Sequence, residues 1–227
     1  SDPANPVAGQ VWYNSTDNLV KGNAATTVGA WATGGNLNTG RQSLGGAGTQ
    51  TSALGFSDNS PISGITESYN GTSWTEVNDL NAGRRFIGGT GEDNTSALAA
   101  GGSTSSPIAP GTTAVTESWN GTSWTEVNDL NTARFNMSMS GTQTLALLFG
   151  GDPGAFANTE SWNGTSWTEV NDLNIGRSGL ASSGTQTSTL AFGGDPVSNT
   201  AVTESWNGTS WTEVNDLNTA RMGLGGA

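Results

Sequence analysis

The 227-residue chain contains neither cysteine nor histidine, has only seven basic residues, and carries no long apolar run. Without cysteine there are no disulfides, thiolate nucleophiles or Cys-based zinc sites. A chain large enough to build its own core needs no such staple, so the redox compartment stays open. Without histidine, general acid–base chemistry would fall to carboxylates alone. Seven Lys and Arg against nineteen Asp and Glu give a formal net charge of −12. That charge repels a phosphate backbone, so nucleic acid is not expected as a partner. Anionic membranes and acidic partners are disfavoured for the same reason. The longest apolar run, residues 145–149, is far below the roughly 18 residues of a spanning helix, and no membrane insertion is expected. The opening Ser-Asp-Pro-Ala-Asn-Pro has neither an initiator Met nor the regions of a secretory signal, and reads as the start of a processed or excerpted chain.

What the chain has in abundance is glycine, 34 residues, and tryptophan, nine. The block Thr-Glu-Ser-(Tyr/Trp)-Asn-Gly-Thr-Ser-Trp-Thr-Glu-Val-Asn-Asp-Leu-Asn occurs four times, at 66–81, 116–131, 159–174 and 203–218. Its second aromatic, Trp74, Trp124, Trp167 and Trp211, recurs at steps of 50, 43 and 44 residues, and a degenerate copy at Trp31 precedes Trp74 by 43. Periods of this size indicate propeller blades or solenoid turns. Regularly spaced indoles supply buried surface that disordered chains lack. The glycines therefore read as turns between short strands.

Residues 134–174 show one unit most clearly. Residues 135–141 alternate Phe/Met with Asn/Ser, a strand with one apolar face. Residues 144–149 are almost continuously apolar and end at Gly150-Gly151, as expected of a central strand buried on both sides. A third strand spans 158–162 and a fourth 166–171, joined by Asn163-Gly164, a hairpin signal whose two central residues both require positive φ.

These residues resemble the kelch repeat family. Arg134 stands before the first strand, Gly150-Gly151 closes the second, Glu160 and Trp162 lie in the third, and Trp167 starts the fourth. The other copies keep this order. Ser57-Asp58 replaces Gly-Gly in the first full unit, and Trp replaces Tyr in three copies. The expected fold is all-β, a kelch-like β-propeller of four-stranded antiparallel blades, in one domain over 1–227. Each repeat Trp is followed ten residues later by an Arg: Arg41, Arg84, Arg134, Arg177 and Arg221. Five such half-units predict five blades: 36–79, 80–129, 130–172, 173–216, and a composite closed by residues 1–35 and 217–227. Closure would remove open strand edges.

Strand alternation places Glu67, Glu117, Glu160 and Glu204 on the same face as Tyr69, Trp119, Trp162 and Trp206. A carboxylate carried into an interblade interface must be paired, and the repeated Arg is the only cation frequent enough. A structural Glu–Arg bridge is expected once per blade. At the N-terminal half-unit the aligned position is Val11, so Arg221 or Arg41 is expected to lack this partner. The Glu residues are too dispersed for a calcium site, and no Asp-x-Asp-x-Asp-Gly loop occurs. The Asn-Gly-Thr copies match the N-glycosylation pattern, but the turn explains them fully.

No enzyme constellation stands out, and no cofactor, metal or catalytic residue is expected. Galactose-oxidase-like kelch enzymes need His, Tyr and Cys around copper, and two of these residue types are absent. Sialidase Asp-boxes have the form Ser-x-Asp-x-Gly-x-x-Trp, and the hairpins here are one residue shorter and lack the Asp. The loops between second and third strands vary while the hairpins do not. Their candidate ligand-binding residues are Asp58, Asn59 and Ser60; Ser103, Thr104 and Ser105; Asp152 and Phe156; Asp195 and Asn199. Loops on a rigid scaffold are where recognition concentrates.

Residues 5–21 are similar to segments that precede kelch-like repeats in bacteriophage tail-fibre and virion appendage proteins, often marine. That resemblance implies a virion or extracellular surface location and an adhesion role toward a cell-surface glycan or protein. A purely structural appendage subunit, contacting other subunits or forming a homo-oligomer, is the second expectation. An intracellular kelch interaction module is the third.

Overall fold

The computed structural model describes residues 11–14, 16, 19–22, 33–106 and 111–226. The chain divides into two compact units, Ser1–Gly34 and Gly35–Ala227. In the first, β1 (Val11–Asn14) and β2 (Leu19–Gly22) pair antiparallel with each other in a two-stranded sheet. Trp31, on which the expected N-terminal half of a composite blade depends, lies outside the described residues.

The second unit is built from four sheets of four antiparallel strands. The first comprises β3 (Gly45–Thr49), β4 (Ser52–Asn59), β5 (Ile62–Tyr69) and β6 (Trp74–Val77). The second comprises β7 (Gly88–Asp93), β8 (Ser96–Ala100), β9 (Thr116–Trp119) and β10 (Trp124–Val127). The third comprises β11 (Ser138–Gly141), β12 (Ala146–Phe149), β13 (Thr159–Trp162) and β14 (Trp167–Val170). The fourth comprises β15 (Ala181–Thr185), β16 (Ser188–Phe192), β17 (Thr203–Trp206) and β18 (Trp211–Val214). In each, strands neighbour one another in chain order. This is the blade organisation of a β-propeller.

Position within a blade explains composition. All four residues of β12 are buried, because both faces of a second strand meet neighbouring blades. The fourth strand is the outer edge, and Thr168 and Glu169 at its middle are exposed, a charged edge that resists further pairing. The first strands are innermost: β3, β7, β11 and β15 lie successively side by side. Hydroxyls tie them together, with Thr90 Oγ1 donating to the Gly141 carbonyl at 2.7 Å and Ser138 Oγ to Ser182 Oγ at 2.8 Å. Between them runs a channel of about 500 Å³, lined by Gly46, Gly89, Ser140 and Ser182 among others. Small side chains are required there: a Cβ at Gly89 would stand 2.8 Å from the Gly46 carbonyl oxygen.

The core consists of interblade seams. Leu54 and Phe56 of the first blade pack on Ile87, Trp119 and Trp124 of the second. Leu98 and Ala100 pack on Met137, Trp162 and Trp167, and Leu147 and Phe149 on Leu180, Trp206 and Trp211. In the second to fourth blades the fourth-strand indole meets the preceding blade, through its N–H in each and through its ring where an aromatic stands opposite. Its ring packs edge-on, Phe56 to Trp124 at 5.0 Å and Phe149 to Trp211 at 4.8 Å. Its N–H donates to a threonine hydroxyl there, Trp124 to Thr66, Trp167 to Thr116 and Trp211 to Thr159, each at 3.1 Å.

Two local expectations are corrected. The strand predicted over 135–141 begins only at Ser138, because Asn136 adopts φ +59° and breaks the extended run. The Asn-Gly hairpins are not two-residue turns with both φ positive. Trp162 pairs with Trp167, leaving a four-residue loop in which only Gly164 is left-handed, at φ +90°. The Asn163 side chain closes it, its Oδ1 accepting the amides of Thr165 and Ser166 at 2.9 Å.

Trp167 is 5 % exposed, so Trp167→Ala is expected to cost about 3–5 kcal/mol in chemical denaturation. Trp74, only half-buried, should lose distinctly less; equal losses would show that the seam is not the source of the stability.

Candidate functional site

The repeated charges form one node per blade. Arg41 pairs with Glu67 at 2.8 Å, Arg84 with Glu117 and Arg134 with Glu160 at 2.7 Å, and Arg177 with Glu204 at 2.6 Å, all essentially without solvent exposure. The other carboxylate oxygen is taken across the seam: Glu160 Oε2 accepts the backbone amide of Asn131 at 2.8 Å and its Nδ2 at 2.9 Å. Arg134 also donates to the Asn158 carbonyl at 2.8 Å. Burial pushes the guanidinium of Arg84 below its ordinary value, opposed first by Glu117, and that of Arg134 likewise, opposed first by Glu160. These carboxylates are saturated by donors, which gives them a structural part. Arg41 has its partner in Glu67, and Arg221 is exposed with no ion pair among the described residues.

The variable loops gather at one end of the channel. Arg85 N and the Ser103 carbonyl, Phe135 N and the Asp152 carbonyl, and Ser178 N and the Asp195 carbonyl are hydrogen-bonded at 3.0 to 3.1 Å. They hold each loop beside the start of its own first strand. In the first blade Ser57-Asp58 replaces Gly-Gly by other means. Ser57 takes the left-handed conformation at φ +82° and its hydroxyl donates to the Arg84 carbonyl, where Gly102 N donates to Arg134 in the next blade. Asp58 Oδ1 accepts the Gln42 amide at 3.3 Å. Asp58 and Ser103 are buried, so both belong to the scaffold. Ser60, Thr104 and Asn199 are exposed, and Asn59, Ser105, Asp152, Phe156 and Asp195 are half-buried. Phe156 is also tied down, its carbonyl accepting the Arg177 amide at 3.1 Å. Asp152 and Asp195 share a shallow pocket with Ser178 and Val197. No group of three or more His, Cys, Asp or Glu able to hold a metal occurs among the described residues.

Two features of this end escaped the sequence reading. Arg85, the second Arg of a doublet, stands where other copies have Gln42, Phe135 and Ser178. Its guanidinium joins two loops, donating to Asn59 Oδ1 at 2.5 Å and to the Ser105 carbonyl at 2.6 Å, and it lies 5.6 Å from the Phe86 ring centroid. Two positions after each repeat Arg lies a residue in the left-handed region: Ser43 (φ +57°), Phe86 (+53°), Asn136 (+59°), Gly179 (+60°) and Gly223 (+65°). Consecutive members are hydrogen-bonded, Phe86 N to Ser43 O at 3.0 Å, then Asn136 N to Phe86 O, Gly179 N to Asn136 O and Gly223 N to Gly179 O at 2.9 Å. They rim a mouth of about 400 Å³ over Leu44, Ile87, Met137, Leu180 and Leu224. Phe86 and Phe135 add an aromatic pair, ring centroids 6.2 Å apart. The signal was available: the two residues after each Arg differ in nearly every copy, whereas the stretch leading to that Arg repeats.

No protein-family model matches the chain, and no curated protein is similar to it in sequence. Among solved structures it is similar to that of YjhT, with a TM-score of 0.65 and 12 % identity over 82 % of this chain and 68 % of the other. The likeness is one of fold. At that identity the residues of the mouth carry their own information, and a left-handed phenylalanine is the most unusual of them.

Replacing Phe86 by Gly removes a Cβ from a left-handed position, a relief of about 1–2 kcal/mol that offsets lost ring burial. Phe86→Gly is therefore expected to leave the denaturation midpoint nearly unchanged. Arg85→Ala, which cuts two charge-assisted bonds between loops, is expected to cost about 1.5–3 kcal/mol; the reverse ranking would show that Arg85 is not the tie.

Proposed function

We propose that the chain is a non-enzymatic recognition module of kelch type, displayed at a virion or cell surface, that takes a host-surface glycan at the channel mouth and the adjoining variable loops. The observation that carries this reading is the division of labour between positions. Residues that build the nodes and hairpins repeat almost unchanged, whereas residues facing the mouth are Ser43, Phe86, Asn136, Gly179 and Gly223. A scaffold that varies only where side chains are not needed for the fold is suited to recognition. The chemistry of the rim fits a sugar: Phe86 and Phe135 offer apolar ring faces to C–H surfaces, and Asn136, Ser43 and the loop hydroxyls offer directional polar groups. The kelch assignment rests on the Arg, Glu and Trp of each unit, and the surface location on the resemblance of residues 5–21 to phage tail-fibre segments.

The test is a glycan array probed with the chain and with Phe86→Ala. Binding to a restricted set of glycans, weakened at least ten-fold by Phe86→Ala and altered by exchanging loop 152–158 for 195–200, is expected. An array without binding, or binding indifferent to both changes, contradicts the glycan reading.

A further inference from the structure

The mouth of the channel carries no charge. Of the described residues that line it none is titratable: Ser43, Phe86 and Asn136 stand among glycines and aliphatic side chains. On a molecule of net charge −12 that neutrality is selective. A carboxylate or sulfate would enter without a cation to pair with, and an ammonium would lose its water without an anion. The group that the mouth accepts is therefore uncharged. Its volume, about 400 Å³, is that of a small-ligand pocket.

The rim is uneven. Three consecutive positions carry side chains, Ser43, Phe86 and Asn136, and the next two are bare, Gly179 and Gly223. The Asn136 carboxamide reaches into the space left bare, its Nδ2 lying 3.4 Å from where a Cβ at Gly179 would stand. At Gly223 a Cβ would meet nothing within 4 Å. Asn136 is half-buried, and its carboxamide has no hydrogen-bond partner among the described residues, although its backbone N–H and C=O are both engaged along the rim. Such a group offers two donors and an acceptor to whatever enters. Beside it the half-buried Phe86 ring supplies an apolar face, and Met137 and Leu180 line the wall. Because the rim is bonded backbone to backbone from Ser43 to Gly223, the site is a well rather than a groove. A well admits the end of a chain.

We infer that the mouth takes the non-reducing end of a glycan and that this end is an N-acetylated amino sugar. The acetamido group is a neutral sugar substituent that joins an N–H, a carbonyl and a methyl. Its amide answers the Asn136 carboxamide, donor to acceptor and acceptor to donor, its methyl meets the aliphatic lining, and the C–H face of the sugar ring lies on Phe86. A free amino sugar brings a charge that the mouth cannot pair, and a plain hexose lacks both the methyl and the N–H. This inference rests on the glycan reading above and narrows it.

The experiment probes an array of matched trisaccharides that differ only at C2 of the terminal residue, acetamido, free amine or hydroxyl, together with one in which the acetamido sugar is internal. The full chain is expected to bind the terminal acetamido sugar and the other three at least about ten-fold more weakly. Asn136→Asp keeps a side chain that tolerates the left-handed backbone but exchanges the amide donor for a charge. It is expected to weaken binding at least about ten-fold and to erase the preference for acetamido over hydroxyl. Gly179→Asn places at one rim position the residue that another already holds in the same conformation, and fills the space beside the carboxamide. It should weaken binding likewise, and unchanged thermal melting shows that the variants fold. Binding that ignores the C2 substituent, or that survives either variant, overturns the inference and leaves the glycan reading standing. An array without any binding overturns the glycan reading and the inference with it.

Discussion

A guanidinium and a carboxylate withdrawn together from water fasten the entry of each blade to its third strand and, through the second carboxylate oxygen, to the exit of the blade before; the rest of the architecture is arranged around that pair. A buried carboxylate without partners is costly, and so is a buried guanidinium. Arg134 and Glu160 satisfy one another at 2.7 Å, and the remaining valences reach in two directions: Arg134 to the Asn158 carbonyl of its own blade, Glu160 to Asn131 at the exit of the blade before. Two stretches remote in sequence, 131–134 and 158–160, meet at one point. A strand slipped by one residue would turn the Glu out to solvent and leave the Arg alone, so the pair specifies register as well as adding contact.

The indoles do the complementary apolar work. Hydrophobic contact is tolerant of direction, whereas the Trp N–H to Thr hydroxyl bond is not, and it locks the angle at which one sheet leans on the next. Because nodes, indoles and Asn-Gly hairpins carry the fold, the rim of the channel is released from structural duty. That release explains why Ser43, Phe86 and Asn136 can differ in side chain while sharing one backbone conformation.

Much of this was legible in the residues because repetition averages out local noise. The four-strand unit follows from the turn residues and the apolar run 144–149, and the Glu–Arg bridge from strand alternation, which carries the Glu inward with the aromatic. What was not legible has physical reasons. The late start of β11 depends on a left-handed Asn136, whose conformation is set by a hydrogen bond to a residue in another blade. The hairpin was misread because the Asn163 side chain supplies the acceptor that a tighter turn would find in its backbone. Arg85 was overlooked beside Arg84, since adjacent residues in a strand entry point to opposite sides and only one belongs to the repeat. The tolerance of Ser57-Asp58 for a Gly-Gly position could not be foreseen either: it needs a serine held at positive φ and a carboxylate placed to take the Gln42 amide.

The node is tested most directly by a double-mutant cycle on Arg134→Met and Glu160→Gln in the full chain, with unfolding free energies from denaturant titration. Each single change leaves one member of a buried pair uncompensated and is predicted to cost about 3–5 kcal/mol. The double variant should be less damaged than the sum of the two by about 2 kcal/mol or more. Strict additivity, or single losses below about 1 kcal/mol, would contradict the claim that this pair anchors the node on which the seam rests.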